Sequence, residues 1–253
     1  TLVSILSGVI APTEGEIILG DRTYKSLSRL EAKNRGIDIV TQEPEVIPRA
    51  TIYESLYLPD YLQKKNRSID WRSMKEKTKE ILQLLNLDIN PEIRMEDLSI
   101  SLQQLFAIIK SFYITKAPLI VLDESSASLS ETDREILFSI IRENKAKHSI
   151  IYISHRTDEI LGICDVVTVL RNGKVVCTKP IEELNEKRIS EFIVGETKRN
   201  FNLEKGLPQS VRQDSKQVLK ISNLGSFSRF KDISFTLDKG EIVGLAGLRG
   251  SGR

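Results

Sequence analysis

Residues 118–124 read PLIVLDE. Between Pro118 and the two acids every side chain is apolar, with no alternation. A strand with one wet face alternates polar and apolar positions. A strand without polar positions is buried on both faces, as in a parallel sheet. Residues 131–147, ETDREILFSIIRENKAK, carry the pattern of a covering helix, and residues 149–154, SIIYIS, form a second apolar strand. This strand–helix–strand rhythm predicts an α/β fold with a parallel sheet and right-handed crossovers.

Upstream, residues 37–43, IDIVTQE, read as a β-branched strand ending in polar residues. The opening TLVSILSG places Leu2, Ile5 and Leu6 at helical spacing and stops at Gly8. GEIILG (15–20) is a short strand between glycines, and SRLEAKNRG (28–36) a short polar helix. From residue 45 to about 115 the pattern turns helical. Residues 71–87 align Met74, Thr78, Ile81, Leu82 and Leu85 on one face. EDLSISLQQLFAIIKSFYI (96–114) is a polar opening followed by an apolar helix. Downstream, residues 165–177 form a hairpin turning at Asn172 and Gly173. Residues 197–216 are polar and aperiodic, a linker. QVLKISNL, KDISFTL and GEIVGLAG then begin a second unit. The expected domains are 1–196, with a helical subdomain at about 45–115, and 217–253.

Apolar residues are 40% of the 253, enough for a proper core. The 37 basic and 35 acidic residues nearly balance, at net charge +2, so no electrostatic footprint for nucleic acid is present. Cys164 and Cys177 lie in apolar surroundings and read as small hydrophobes rather than a redox pair. No apolar run is long enough for a membrane span. A soluble, cytosolic, reducing context is expected.

Four elements carry chemistry. Residues 247–253, GLRGSGR, follow a strand and fit the glycine frame of a phosphate loop, G-x-x-x-x-G-K-S/T, with Gly247, Gly250, Ser251 and Gly252 in the loop and Arg253 where Lys is expected. Glycines leave backbone N–H groups free to wrap phosphates. An ordinary glycine turn fits the same residues. Second, the buried strand delivers Asp123 and Glu124 at its carboxyl edge, the ligand-binding rim of a parallel sheet. In nucleotide hydrolases the first carboxylate of such a pair holds Mg²⁺ through water and the second orients the attacking water. A strand that happens to end in acids is the plain alternative. Third, His155 follows the next buried strand on the same edge, placed to touch a terminal phosphate. His148, in a charged surface run, receives no role. Fourth, Gln42 ends another strand, where an uncharged amide can reach Mg²⁺ or the nucleophilic water.

This order resembles an ABC-type ATPase, and most closely the duplicated ATP-binding subunits of bacterial monosaccharide importers of the ribose, galactose and xylose type. The pieces that carry the resemblance are LSGVIAPTEGEI, VTQEPEVIP, TIYESLYL, DLSI, DESSASLS and YISHRTDEI, with the terminal GSGR similar to that family's second half. The resemblance implies a P-loop NTPase-type parallel sheet with a helical subdomain and antiparallel β additions, plus the start of a second such domain. It implies ATP and Mg²⁺ as cofactors, Asp123 and Gln42 as metal contacts, and Glu124, His155 and Gln42 as the catalytic set. Thr1 would be the last residue of a first phosphate loop, its hydroxyl touching the α-phosphate, and Arg253 would hold the Lys position of a second. The chain is therefore expected to be a segment running from one loop to the next, inactive alone for want of the first-loop Lys. The implied partners are membrane permease subunits and, through them, a periplasmic or extracellular sugar-binding protein, with the chain peripheral at the cytoplasmic face of the membrane.

The family's signature, L-S-x-G-Q, is here Leu98, Ser99, Ile100, Ser101 and Leu102. Ser99, Ser101 and Gln103 are the expected nucleotide contacts. Ser101 keeps its N–H, but its Cβ crowds the phosphate approach, and a shifted amide from Gln103 or Gln104 partly substitutes. ABC halves pair head to tail, so the altered signature and Arg253 would share one composite site. One hydrolytic site and one mainly binding site are expected. Two other readings compete. A soluble ABC ATPase acting in translation or on DNA should carry a basic insert or long charged arms, which are absent. A nucleotide-binding module with weak hydrolysis fits poorly with Asp123, Glu124 and His155 all present.

Overall fold

Three parallel strands organise the first of two units, Thr1–Glu196, in the computed structural model, which describes residues 1–194, 217–226 and 230–238. The chain opens with helix α1 (Leu2–Leu6). Ser7 caps it, and Gly8 follows at φ +71°. A Cβ there would lie 2.3 Å from the backbone carbon of Ser28, so only glycine allows this approach. Strands β1 (Ile17–Leu19) and β2 (Arg22–Tyr24) pair antiparallel. Helix α2 (Arg29–Asn34) is started by a capping box between Ser28 and Glu31. Strand β3 (Ile37–Val40) enters the central sheet.

The segment that follows contains α3 (Ile52–Tyr57), with a Thr51–Glu54 capping box, α4 (Trp71–Leu84), capped by Asp70, and α5 (Ile100–Ile109), capped by Ser99. It is less helical than its pattern suggests. Leu58 precedes a proline and is extended, as that neighbour favours, and residues 58–70 form no helix. Helix α4 stops at Leu84, where the apolar period predicted 87, because Asn86 takes a left-handed φ of +54°. Its predicted face is right: Met74, Thr78, Leu82 and Leu85 are buried. Helix α5 widens into a π-turn over Lys110–Thr115.

Strand β4 (Leu119–Asp123) then pairs in parallel with β3 on one side and with β5 (Ser149–Ile153) on the other. Between them runs α6 (Glu131–Asn144), capped by Ser130. After β5 come α7 (Thr157–Ile163), the hairpin β6 (Val166–Arg171) and β7 (Lys174–Pro180), and α8 (Glu186–Val194). The hairpin turns at Asn172 and Gly173, at φ +51° and +74°, as the dipeptide predicts. His148 is not a free surface residue. Its ring meets Phe112 edge-on, and Nδ1 lies 2.7 Å from the Ala117 carbonyl.

The core explains why residues 118–124 lack alternation. Ile120 and Leu122 face a cluster shared with α3, α4, α5 and α6, while Val121 faces Leu27, Ala32 and Ile37 across the sheet. All three are fully buried. Leu122→Ala is expected to cost about 2–5 kcal/mol. The urea midpoint should drop with little change in m-value.

The second unit, Thr197–Arg253, is described only at β8 (Gln217–Ser226) and β9 (Phe230–Asp238), an antiparallel pair. Asn223, at φ +49°, sits at a register break, and its N–H donates to Ser234 Oγ at 2.8 Å. The predicted linker, the strand GEIVGLAG and the loop bearing Gly247, Gly250, Ser251, Gly252 and Arg253 lie outside the described residues.

Candidate functional site

The register places three strand ends on one rim. Val40 pairs with Leu122, and Asp123 with Ile153. Because the strands are parallel, the residues just beyond each end emerge on the same edge: Gln42 from β3, Asp123 and Glu124 from β4, His155 from β5. His155 Nδ1 lies 3.9 Å from Glu124 Oε1, close enough that a small rotation makes a hydrogen bond. His155 is 69% exposed at its side chain and Glu124 38%. The pair therefore faces open space. Gln42 is exposed too.

Glu124 has an unusual backbone. Its φ is +48°, a left-handed conformation that costs a non-glycine residue roughly 1–3 kcal/mol and clusters at functional sites. Hydrogen bonds hold it there: its N–H donates to the Ile153 carbonyl at 2.9 Å, and its carbonyl accepts from Ala127 at 3.1 Å. The first bond ties Glu124 to the strand that carries His155.

Two carboxylates and an amide offer hard oxygen donors, the kind Mg²⁺ takes. Among the described residues no group of three or more His, Cys, Asp or Glu side chains could hold a metal unaided.

At the start of α5, Ser99 accepts a capping bond from the Leu102 N–H at 3.2 Å and stays exposed. Ser101, by contrast, is buried. Its hydroxyl donates to Asp133 and accepts from the Ser130 N–H at 2.7 Å. The residue standing at the family's glycine position thus points its polar group inward, onto the cap of α6. Gln103 is also engaged, its amide donating to the carbonyls of Met95 and Leu98 at 2.9 and 3.1 Å. Gln104 is fully buried and donates to the Thr41 carbonyl at 2.8 Å, next to Gln42. Ser101→Ala is expected to cost about 1–3 kcal/mol, because it strips a partner from the buried Asp133 carboxylate and the half-buried Ser130 N–H; thermal unfolding reads it. Thr1 precedes α1, is exposed and makes no side-chain capping bond.

Sequence reasoning missed Glu159. In RTDEI it looks like a solvated acid in a helix's first turn, yet it is 2% exposed. Nearby Tyr152, Ser154 and Arg156 supply part of its shell, but the partners that close it, Ser126 and Arg134, come from distant elements and leave no local pattern.

Solved structures share this architecture. The nucleotide-free ATP-binding cassette of an ABC transporter superposes with a TM-score of 0.62 at 24% identity, over 77% of this chain and 83% of that one. The fold is that of an ATP-binding cassette. Residues 1–127 match the ABC transporter family, and the chain belongs to it. Curated relatives include the ribose import ATP-binding protein RbsA 2 of Rhizobium etli, 36% identical over the whole of this chain and 49% of the relative. The galactose/methyl galactoside import ATP-binding protein MglA of Sodalis glossinidius is 34% identical over the whole of this chain and 49% of its own. The chain spans about half the length of these relatives. Among the described residues no helix is long and apolar enough to cross a membrane.

Proposed function

We propose that this chain is part of a two-cassette ATPase that powers monosaccharide import, with its first cassette in residues 1–196, a linker at 197–216 and the second cassette beginning at 217. The observation that carries the catalytic reading is His155 Nδ1 3.9 Å from Glu124 Oε1 on the rim that also bears Asp123. The sugar-import reading is supported by relatives named for ribose and galactose import.

In this reading Glu124 orients the attacking water and accepts its proton, and His155 donates a hydrogen bond toward the terminal phosphate. Asp123 and Gln42 turn their oxygens toward Mg²⁺, which when bound offsets negative charge on the phosphates. Ser99, Ser101 and Gln103 sit at a helix start whose backbone N–H groups suit a phosphate, and Ser101 contributes only its N–H. Thr1 and the loop from Gly247 to Arg253, through Gly250, Ser251 and Gly252, flank the two phosphate sites. The departures at Ser101, Leu102 and Arg253 from the family pattern support one hydrolytic site and one that mainly binds nucleotide. The protein works at the cytoplasmic face of the membrane, on permease subunits fed by a sugar-binding protein, through the helical subdomain at about 45–115.

The test is the full-length protein with its permease. Sugar uptake that needs ATP and stops in a deletion strain is the expected result. ATP turnover with no permease co-purifying, and unaltered uptake on deletion, would overturn the transport reading.

A further inference from the structure

Glu159 has no task in the reaction described above, yet it is 2% exposed and five side chains lie within hydrogen-bond or ion-pair reach of it. One carboxylate oxygen, Oε2, accepts three hydroxyl bonds: from Ser126 at 2.7 Å, Tyr152 at 2.6 Å and Ser154 at 2.9 Å. The other, Oε1, makes no well-formed hydrogen bond but lies within ion-pair reach of Arg156 Nε at 3.2 Å and Arg134 Nε at 3.5 Å. Arg134 also reaches Glu131 at 2.9 Å.

These partners surround the rim. Ser154 and Arg156 are the neighbours of His155 in the chain, one on each side. Ser126 lies in the turn two residues beyond Glu124. Tyr152 belongs to β5 and Arg134 to α6. One buried carboxylate therefore grips the chain before and after His155 and fastens it to the turn behind Glu124. Stability is a poor reason to keep such a group. Replacing a buried ion pair with packed apolar residues is often neutral or stabilising. A charge-assisted network does impose a single geometry on the segments it joins.

We propose that Glu159 is a positioning residue for His155, holding the loop so that the imidazole stays beside Glu124. The inference rests on the hydrolytic reading of the rim. It concerns the fixed direction of a side chain that, at 69% exposure, has little packing of its own to orient it. Tyr152 supports the arrangement: burial and its bond to Glu159 push its hydroxyl pKa well above the usual range, so it stays a donor.

The experiment is steady-state ATP hydrolysis by the full-length protein and its variants. Glu159→Gln keeps the shape but loses the charge that faces both guanidinium groups. We expect kcat to fall about 10–100-fold, the scale of a misplacement near 1 Å, with KM for ATP within about twofold. In a His155→Ala background the same change should cost less than about twofold, because no imidazole is left to place. Ser154→Ala removes one tether without leaving a charge unpaired, and should show a milder kcat loss at unchanged KM. A kcat that falls only with the folded fraction, or a Glu159→Gln penalty that multiplies fully onto His155→Ala, overturns the proposal. The Glu124→Gln variant separates the two failures. If wild type does not turn over, the hydrolytic reading fails and this inference with it. If wild type turns over, Glu124→Gln does not and Glu159→Gln matches wild type, only the positioning role is lost.

Discussion

Glu124→Gln in the full-length protein is expected to lower ATP turnover by about 10²–10⁴-fold, the worth of a positioned general base, while KM for ATP changes little. The amide is nearly the same size and still accepts a hydrogen bond, so a water can be held, but it cannot take the water's proton. The backbone gives no reason for a folding defect. Glu124 is held at φ +48° by its N–H bond to Ile153 and its carbonyl bond from Ala127, and neither involves the side chain. Glu124→Gly gives the complementary check: glycine adopts that φ without a Cβ penalty, so thermal stability should hold while activity is lost to the same degree. The size of the Gln effect also bears on the two-site asymmetry. If both composite sites hydrolysed equally and independently, a rate near half of wild type would survive. Near-complete loss is the expected result under the proposed asymmetry, in which the departures at Ser101, Leu102 and Arg253 leave one site mainly binding nucleotide.

Much of this was legible in the residues, for reasons that differ by element. Strand β4 announced itself because Ile120, Val121 and Leu122 have no polar neighbour to turn toward water, and each is fully buried. The rim followed from topology alone. Parallel strands must end on one edge, so Asp123 and His155 were bound to share it once both strands were recognised. Periodicity overran only at the helix end: the apolar pattern of α4 continues through Leu85 and Leu87, while Asn86, the first residue of the closing stretch to Pro91, turns left-handed and the helix ends at Leu84. Long-range polar contacts left no trace. Nothing in LSISL says that the Ser101 hydroxyl meets Asp133, 32 residues away. Nothing in RTDEI says that Glu159 meets Ser126, 33 residues back. Hydrophobic burial writes a period into the chain, whereas a hydrogen bond between two loops needs only one residue at each end.

His155→Ala is the second change with a large expected effect, a kcat loss of about 10²–10³-fold, comparable to removing one preorganised donor from a transition state. Unlike Glu124, His155 makes its case by position more than by chemistry. Its side chain is 69% exposed, so truncation opens no cavity and should leave the melting temperature nearly unchanged. The loss must then come from the reaction. Two roles are compatible with 3.9 Å from Glu124: donating to the terminal phosphate, or holding the Glu124 carboxylate in line with the water. They predict different double mutants. If His155 acts on phosphate alone, adding His155→Ala to Glu124→Gln multiplies the two losses. If it acts through Glu124, the double variant is scarcely worse than Glu124→Gln, since groups that work as a unit are strongly non-additive. Donation to the terminal phosphate is the role proposed for His155, so multiplication of the two losses is the expected outcome. A single-turnover measurement of ATP cleavage in the four variants reads it directly. Wild-type cleavage rates in His155→Ala would remove the imidazole from the site.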